Sequence, residues 1–102
     1  MLNQAVLVGR LYEEPEIKEI NERKKIYFLL AVTRGFKNLD GTYDTDIIPV
    51  EVFNCITENM REYFKKGDLI GVKGHHEIID EKLIVLAEKI TTLSKGNERE
   101  EK

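Results

Sequence analysis

The sequence predicts an all-β fold: a small barrel of five mainly antiparallel strands, with one helix between the third and fourth strands. Three features point there. Apolar residues recur at every second position over much of the chain, as in 46–54, where Ile48, Val50 and Val52 share one parity. One segment, 56–66, repeats its apolar residues at helical spacing instead. A single helix cannot cover a parallel sheet, so doubly wound architectures are excluded.

Segment 4–11 (QAVLVGRL) is apolar on both parities, with Ala5, Leu7 and Leu11 on one and Val6 and Val8 on the other. A strand of this kind needs cover on both faces. The core covers one face and a partner subunit is the expected cover for the other. Val6, Val8 and Ile48 are the candidate oligomer-interface residues. Gly9 marks a bend or a close backbone approach, as at a barrel corner. The charged stretch 12–25, with Pro15 early, reads as a solvated hairpin holding a short strand around 16–20; the alternative makes Arg23, Lys24 and Lys25 one bank of a binding groove.

Segment 25–33 (KIYFLLAVT) is rich in β-formers, and Phe28, Leu30 and Val32 share the inward parity. The pattern places a strand over 26–34, a polar loop over 35–45 and a second strand over 46–54. Asp40-Gly41 is a turn signal that predicts positive φ at Gly41. The loop is longer than a tight hairpin needs, which marks it as a carrier of function. In the helix, Thr57 is the N-cap, Glu58 sits in the first turn, Lys65 and Lys66 in the last, and Gly67 ends it. Its stripe of Ile56, Met60, Tyr63 and Phe64 is core. Segment 68–74 (DLIGVKG) reads as a strand broken by Gly71. Segments 77–79 and 83–88 form a hairpin closed by Asp80, Glu81 and Lys82, which 90–93 extends. Residues 1–93 are expected to make one domain and 94–102 a polar, disordered tail. The oligonucleotide-binding (OB) barrel is the architecture that fits this order.

With 102 residues, the chain has room for one core. Hydrophobic residues make up 41% and charged residues 34%, the balance of an ordered soluble domain. No apolar run approaches the roughly 20 residues of a membrane span, and the start, Met-Leu-Asn-Gln, lacks a secretory signal. Cys55 is alone, which excludes an internal disulfide and points to a reducing cytoplasm. A net charge of −3 excludes a strongly basic histone-like binder. Any phosphate binding must therefore come from a local patch helped by stacking.

Such a patch is legible. Opposite the core parity in 46–54 stand Ile47, Pro49, Glu51 and Phe53. Glu51 and Pro49 predict a wet face, which leaves Ile47 and Phe53 as apolar groups turned to solvent. The loop adds Phe36 and Tyr43 among Arg34, Lys37 and Asn38. Aromatics interleaved with cations on a sheet suit flat, anionic ligands, and single-stranded nucleic acid is the commonest of these. The candidate stacking residues are Phe36, Phe53, Tyr43 and Ile47. The candidate phosphate or base contacts are Arg10, Thr33, Arg34, Lys37, Asn54, Lys73 and His75. The competing assignment for Phe36 and Phe53 is packing in a partly buried site.

Features of catalysis do not line up. There is no Gly-rich phosphate loop, no Ser/His/Asp ordering and no Cys-x-x-Cys. His75 and His76 are adjacent, so on a strand they point to opposite faces and cannot share a metal ion. Asp44, Asp46 and Glu51 read as a solvated turn and strand rather than a Mg²⁺ site. Cys55 has no histidine placed to activate it. A binding protein without cofactor or metal, and not an enzyme, is the expectation.

The segments MLNQAVLVGRL, FLLAVTRGFKN, DTDIIPVEVFN and YFKKGDLIGVKG resemble corresponding blocks of the bacterial single-stranded DNA-binding proteins, in the same order and at similar spacing. The resemblance covers 1–93. It implies an OB barrel that binds single-stranded DNA without sequence specificity, protecting it in replication, recombination or repair. It also implies a homodimer or homotetramer assembled through the first strand. Carried over by position, Phe36 and Phe53 fall at stacking aromatics, Ile47 at a site that is tryptophan in some members, and Arg34 and Lys37 at basic positions. There are two departures. The hairpin at 77–86, usually long and often aromatic or basic in the family, is short and acidic. The acidic tail through which the family recruits replication and repair proteins is absent by Lys102, as in a reduced relative or a truncated core. The alternative is a protein-interaction module or primosome-type accessory subunit with weak nucleic-acid affinity, which the net charge and the acidic hairpin favour.

Overall fold

A computed structural model describes residues 1–20, 23–53 and 65–95. They form β1 (Ala5–Leu11), β2 (Glu16–Ile20), β3 (Arg23–Lys37), β4 (Tyr43–Phe53), β5 (Leu69–Ile79) and β6 (Lys82–Ser94). The strands β1, β5, β6, β4 and β3 follow one another around a ring that closes where β1 meets β3. This is the expected five-stranded barrel. The short β2 lies outside the ring, paired with β3 alone. The pairing of β4 with β6 is parallel and the others are antiparallel.

Closure depends on β1 serving two neighbours. Ala5 to Arg10 pair with β5, from Gly74 back to Leu69, while Arg10 and Leu11 also pair with Ala31 and Leu30 of β3. The hand-over falls at Gly9, where an added Cβ would overlap the Ala31 carbonyl oxygen. Only glycine lets the two backbones come this close. At its end β1 stays tied to the residues just before β5: Leu11 N donates to Asp68 O at 3.0 Å and Gly67 N to Leu11 O at 2.9 Å. Asp68 is buried and accepts from Lys65 N at 3.1 Å, with Lys95 Nζ 3.5 Å away.

The inward parity of each strand fills the barrel. Leu11, Ile26, Leu30, Val50, Ile70 and Val72 are the largest fully buried side chains. Phe28 and Val85 join them, and Leu7, Val32, Ile48 and Ala87 pack against the cluster. The outward parity of β1 is left in solvent, with Val6 at 69% and Val8 at 52% exposure.

Several local expectations change. The helix at 56–66 falls largely outside the described residues; of its residues only Lys65 and Lys66 are described, just before a turn at Gly67 (φ +92°). Segments 68–74 and 77–79 are one strand, β5, because Gly71 continues the ladder opposite Val8 and Thr91. The hairpin turn is Asp80-Glu81 alone, with φ of 51° and 66°, and Lys82 already belongs to β6. Glu51 was expected on a wet face but is 4% exposed, with Lys25 Nζ 3.2 Å from its Oε1. The outer face of β4 is thus covered at that point and open at Ile47. Ile48, expected at an oligomer interface, shares the inward parity with Val50 and packs on the core, apart from Val6 and Val8.

The substitution Gly9→Ala is expected to destabilise the fold by about 1–3 kcal/mol, since the β1–β3 seam must open to admit the methyl group. Urea unfolding measures this, and unchanged stability would show that the seam does not hold the barrel.

Candidate nucleic-acid interface

The strands β3 and β4 run on past the barrel as a two-stranded arm. The pairing continues through Thr33↔Thr45 and resumes at Lys37↔Tyr43, so Arg34, Gly35 and Phe36 stand opposite Asp44 alone. This bulge re-aims the side chains around it. The expected loop over 35–45 therefore shrinks to a connection at 38–42. Asn38 N donates to Thr42 O at 2.7 Å and Gly41 N to Asn38 O at 3.0 Å, with Gly41 at φ +92°, as the Asp-Gly signal predicts. Asp40 accepts from Thr42 N at 3.0 Å and Thr42 Oγ1 at 2.7 Å. Those bonds hold the Asp40 carboxyl below the usual carboxylate range.

The arm holds apolar groups out in water. Phe36 is 87% exposed, Tyr43 51%, and Leu39, at the tip, fully. Lys37 stands beside Tyr43, its cross-strand partner. Thr33 faces Thr45, their hydroxyls 3.4 Å apart. The Arg34 guanidinium is engaged: Nε donates to Asp46 Oδ2 at 3.0 Å and Nη2 to Asp46 Oδ1 at 2.9 Å, while Nη1 lies 3.8 Å from Asp44 Oδ2. The pairing lowers the pKa of Asp46 and raises that of Arg34. At the foot of the arm Ile47 is 41% exposed. It rims an apolar pocket of about 190 Å³ at the barrel end, lined also by Leu7, Ile48, Pro49, His76, Leu83 and Val85.

The remaining candidates stand elsewhere. Arg10 is exposed next to the β1–β3 seam, its Nη1 donating to Gly67 O at 3.0 Å. Lys73 is exposed on β5 opposite Val6. Phe53 ends β4 opposite Lys25, and its side chain and Asn54 lie outside the described residues. The structure therefore gathers Thr33, Arg34, Phe36, Lys37 and Tyr43 on one arm with Ile47 at its base, and sets Arg10 and Lys73 on a neighbouring barrel face. Sequence reasoning missed Leu39 and the barrel-end pocket. An isolated leucine before Asp-Gly carries no periodic signal, and the pocket is assembled from strands far apart in sequence.

Residues 2–80 match the model of the single-strand binding protein family. The chain belongs to this family. A single-stranded DNA-binding protein of Clostridium acetobutylicum is 37% identical over 79 residues, which cover 76% of this chain and 72% of that one. A Staphylococcus aureus single-stranded DNA-binding protein is 44% identical over 75 residues, 72% of this chain and 54% of that one. Among solved structures, Plasmodium falciparum SSB, in complex with ssDNA, superposes with a TM-score of 0.74 at 21% identity, covering 92% of this chain and 96% of that one. A dimeric N-terminal domain of a PriB protein from Thermoanaerobacter tencongensis gives a TM-score of 0.67 at 25% identity, covering 91% and 98%. The barrel is an OB fold.

Within this single-strand binding family member, the β5–β6 hairpin carries its own arrangement. His75 and His76 point to opposite faces, as adjacency on a strand requires. His76 lines the pocket, and its backbone is bracketed by the Asn3 side chain, which donates to His76 O at 2.8 Å and accepts from His76 N at 2.9 Å. His75 was expected to touch a base or phosphate. Instead its Nδ1 lies 2.8 Å from Glu88 Oε2 and its Nε2 2.7 Å from Glu77 Oε2. Two carboxylates can both be satisfied only when each ring nitrogen carries a proton, so Glu88 first, then Glu77, raises the His75 pKa. Among the described residues no cluster of histidine, cysteine and carboxylates is placed to hold a metal ion.

The sign of the pH effect follows. A folded-state pKa above that of unfolded histidine, about 6.5, gives stabilisation that is complete below that value and is lost as pH rises through the raised one. An NMR titration of the His75 ring should give a pKa above the ordinary value. His75→Gln should remove that part of the pH dependence of thermal stability and leave acid stability lower than in the parent.

Proposed function

We propose that this protein binds single-stranded DNA without sequence specificity, stacking unpaired bases on the β3–β4 arm and neutralising phosphates with the cations around it. The observation that carries this reading is Phe36, a large apolar ring held 87% exposed on an ordered arm beside Lys37 and Tyr43. A ring so placed gains nothing from the core, and every base offers it a π-face. Ile47 extends the same path onto the barrel as an apolar contact, with Thr33 beside it, and Phe53 and Asn54 continue the reading toward the end of β4. Arg10 and Lys73 supply further cations on the adjacent face. Membership of the single-strand binding family and the ssDNA complex of the Plasmodium relative support the reading.

The protein acts as a binder, not an enzyme, with roles in replication, recombination or repair of DNA in the cytoplasm. It works as a homodimer or homotetramer, for which the exposed Val6 and Val8 of β1 are the interface. Among the described residues no helix is long and apolar enough to cross a membrane. A second reading, a protein-interaction module of accessory-subunit type, draws on the likeness to the dimeric PriB domain and on the acidic turn Asp80-Glu81.

Fluorescence anisotropy with labelled oligo-dT separates the two. The first reading expects binding at micromolar protein or below that weakens as salt rises; absence of binding at low salt favours the second. Phe36→Ala should weaken oligo-dT binding by about 1–3 kcal/mol, the worth of one stacked base, with an unchanged melting temperature. Equal affinity in parent and variant would remove Phe36 from the path.

A further inference from the structure

We infer that Asp46 is an internal competitor for the phosphate-binding cation of the arm: it holds Arg34 in a two-pronged pair that keeps the guanidinium from phosphate, and so sets how weakly and how salt-dependently the arm binds. The inference rests on the reading of the arm as a DNA-binding element and assigns it a regulating residue. The geometry is that of a phosphate contact already occupied. Nε and Nη2 of Arg34 meet the two oxygens of Asp46 at 3.0 and 2.9 Å, the parallel fork in which guanidinium also grips a phosphate. The remaining edge, at Nη1, faces Asp44 3.8 Å away. Over 33–46 the arm carries Arg34 and Lys37 against Asp40, Asp44 and Asp46. Asp40 is spent on Thr42 and Asp44 accepts from Asn38 Nδ2 at 3.2 Å, so Asp46 is the carboxylate committed to Arg34.

The pair is also built to open. Its side chains are 57% and 46% exposed, so water screens the attraction and replaces the hydrogen bonds when they break. A phosphate can therefore take the fork of Arg34. Asp46 would then be left charged and close to that phosphate, since a free aspartate is ionised at neutral pH, and that repulsion favours the closed pair in the parent. Removing its charge both releases the guanidinium and relieves that repulsion.

The test is a cycle of Asp46→Asn, Arg34→Gln and the double variant, each titrated with labelled oligo-dT at several salt concentrations, with thermal melts to verify folding. Asp46→Asn should bind about three- to tenfold more tightly at low salt, and its log–log salt slope should steepen by about 0.7, the value of one added single-strand phosphate contact. Arg34→Gln alone should leave the slope at the parent value, and in the double variant the gain should vanish. An Asp46→Asn slope equal to the parent's would overturn the inference. So would a shallower slope in Arg34→Gln, which would mean that Arg34 already grips phosphate in the parent. Should Asp46→Asn lower the melting temperature, Asp46→Ser is judged by the same slopes. If neither parent nor Asp46→Asn binds oligo-dT, the arm is not a DNA element and both readings fall; binding by the parent without the slope change removes the competitor alone.

Discussion

Closure of the barrel rests on a seven-residue strand that must pair with two neighbours at once. The strand β1 spends Ala5 to Arg10 on β5 and Arg10 to Leu11 on β3, and the two ladders share it across Gly9. The Ala31 carbonyl occupies the space a side chain would need there. Without that approach β3 would have an open edge, and the sheet β5-β6-β4-β3 would have no means of enclosing Leu30, Val50 and Ile70. Glycine at this position therefore affects the whole core, although it contributes no apolar surface itself.

The arm is a consequence of closure. Once β3 has met β1 at Leu30 and Ala31, its continuation through Lys37 has β4 as its sole partner. Beyond that point there is no interior for side chains to enter, so Phe36, Leu39 and Tyr43 are exposed whatever their hydrophobicity. The arm is nonetheless ordered by its own bonds: the bulge at 34–36, the Asn38–Thr42 closure, and the cap that Asp40 places on Thr42. Presenting apolar rings on a braced, two-stranded element lowers the ordering cost of binding, since little conformational freedom remains to be lost. The charge arrangement works in the opposite direction. Carboxylates interleaved with Arg34 and Lys37 keep the arm from attracting anions indiscriminately, in keeping with a net charge of −3 for the chain.

The hairpin at the same end of the barrel as the arm shows how little sequence is needed to change a surface. Two residues at positive φ, Asp80 and Glu81, turn β5 into β6, and the pairing then brings Glu88 to His75 while Glu77 arrives from the same strand. A histidine that could have met a ligand is given instead to carboxylates. Its neighbour His76, turned the other way, lines the apolar mouth of the barrel.

Period-2 alternation, read along single strands, was enough to place Leu30 and Val50 inside and to set Val6 and Val8 on the face opposite Ala5, Leu7 and Leu11, because side-chain direction in a strand is set by the pleat and needs no knowledge of partners. The positive φ of Gly41 was equally local, a steric property of Asp-Gly. The family resemblance was legible as well, through four blocks in register. Strand ends were not: β3 and β4 gained residues at the arm because pairing with each other, not propensity, decides where a ladder stops. Burial of Glu51 beside Lys25, commitment of Arg34 to Asp46, and capture of His75 by Glu88 all join residues on different strands. Such contacts depend on register and bulges, which the chain fixes only when every strand has found its neighbour.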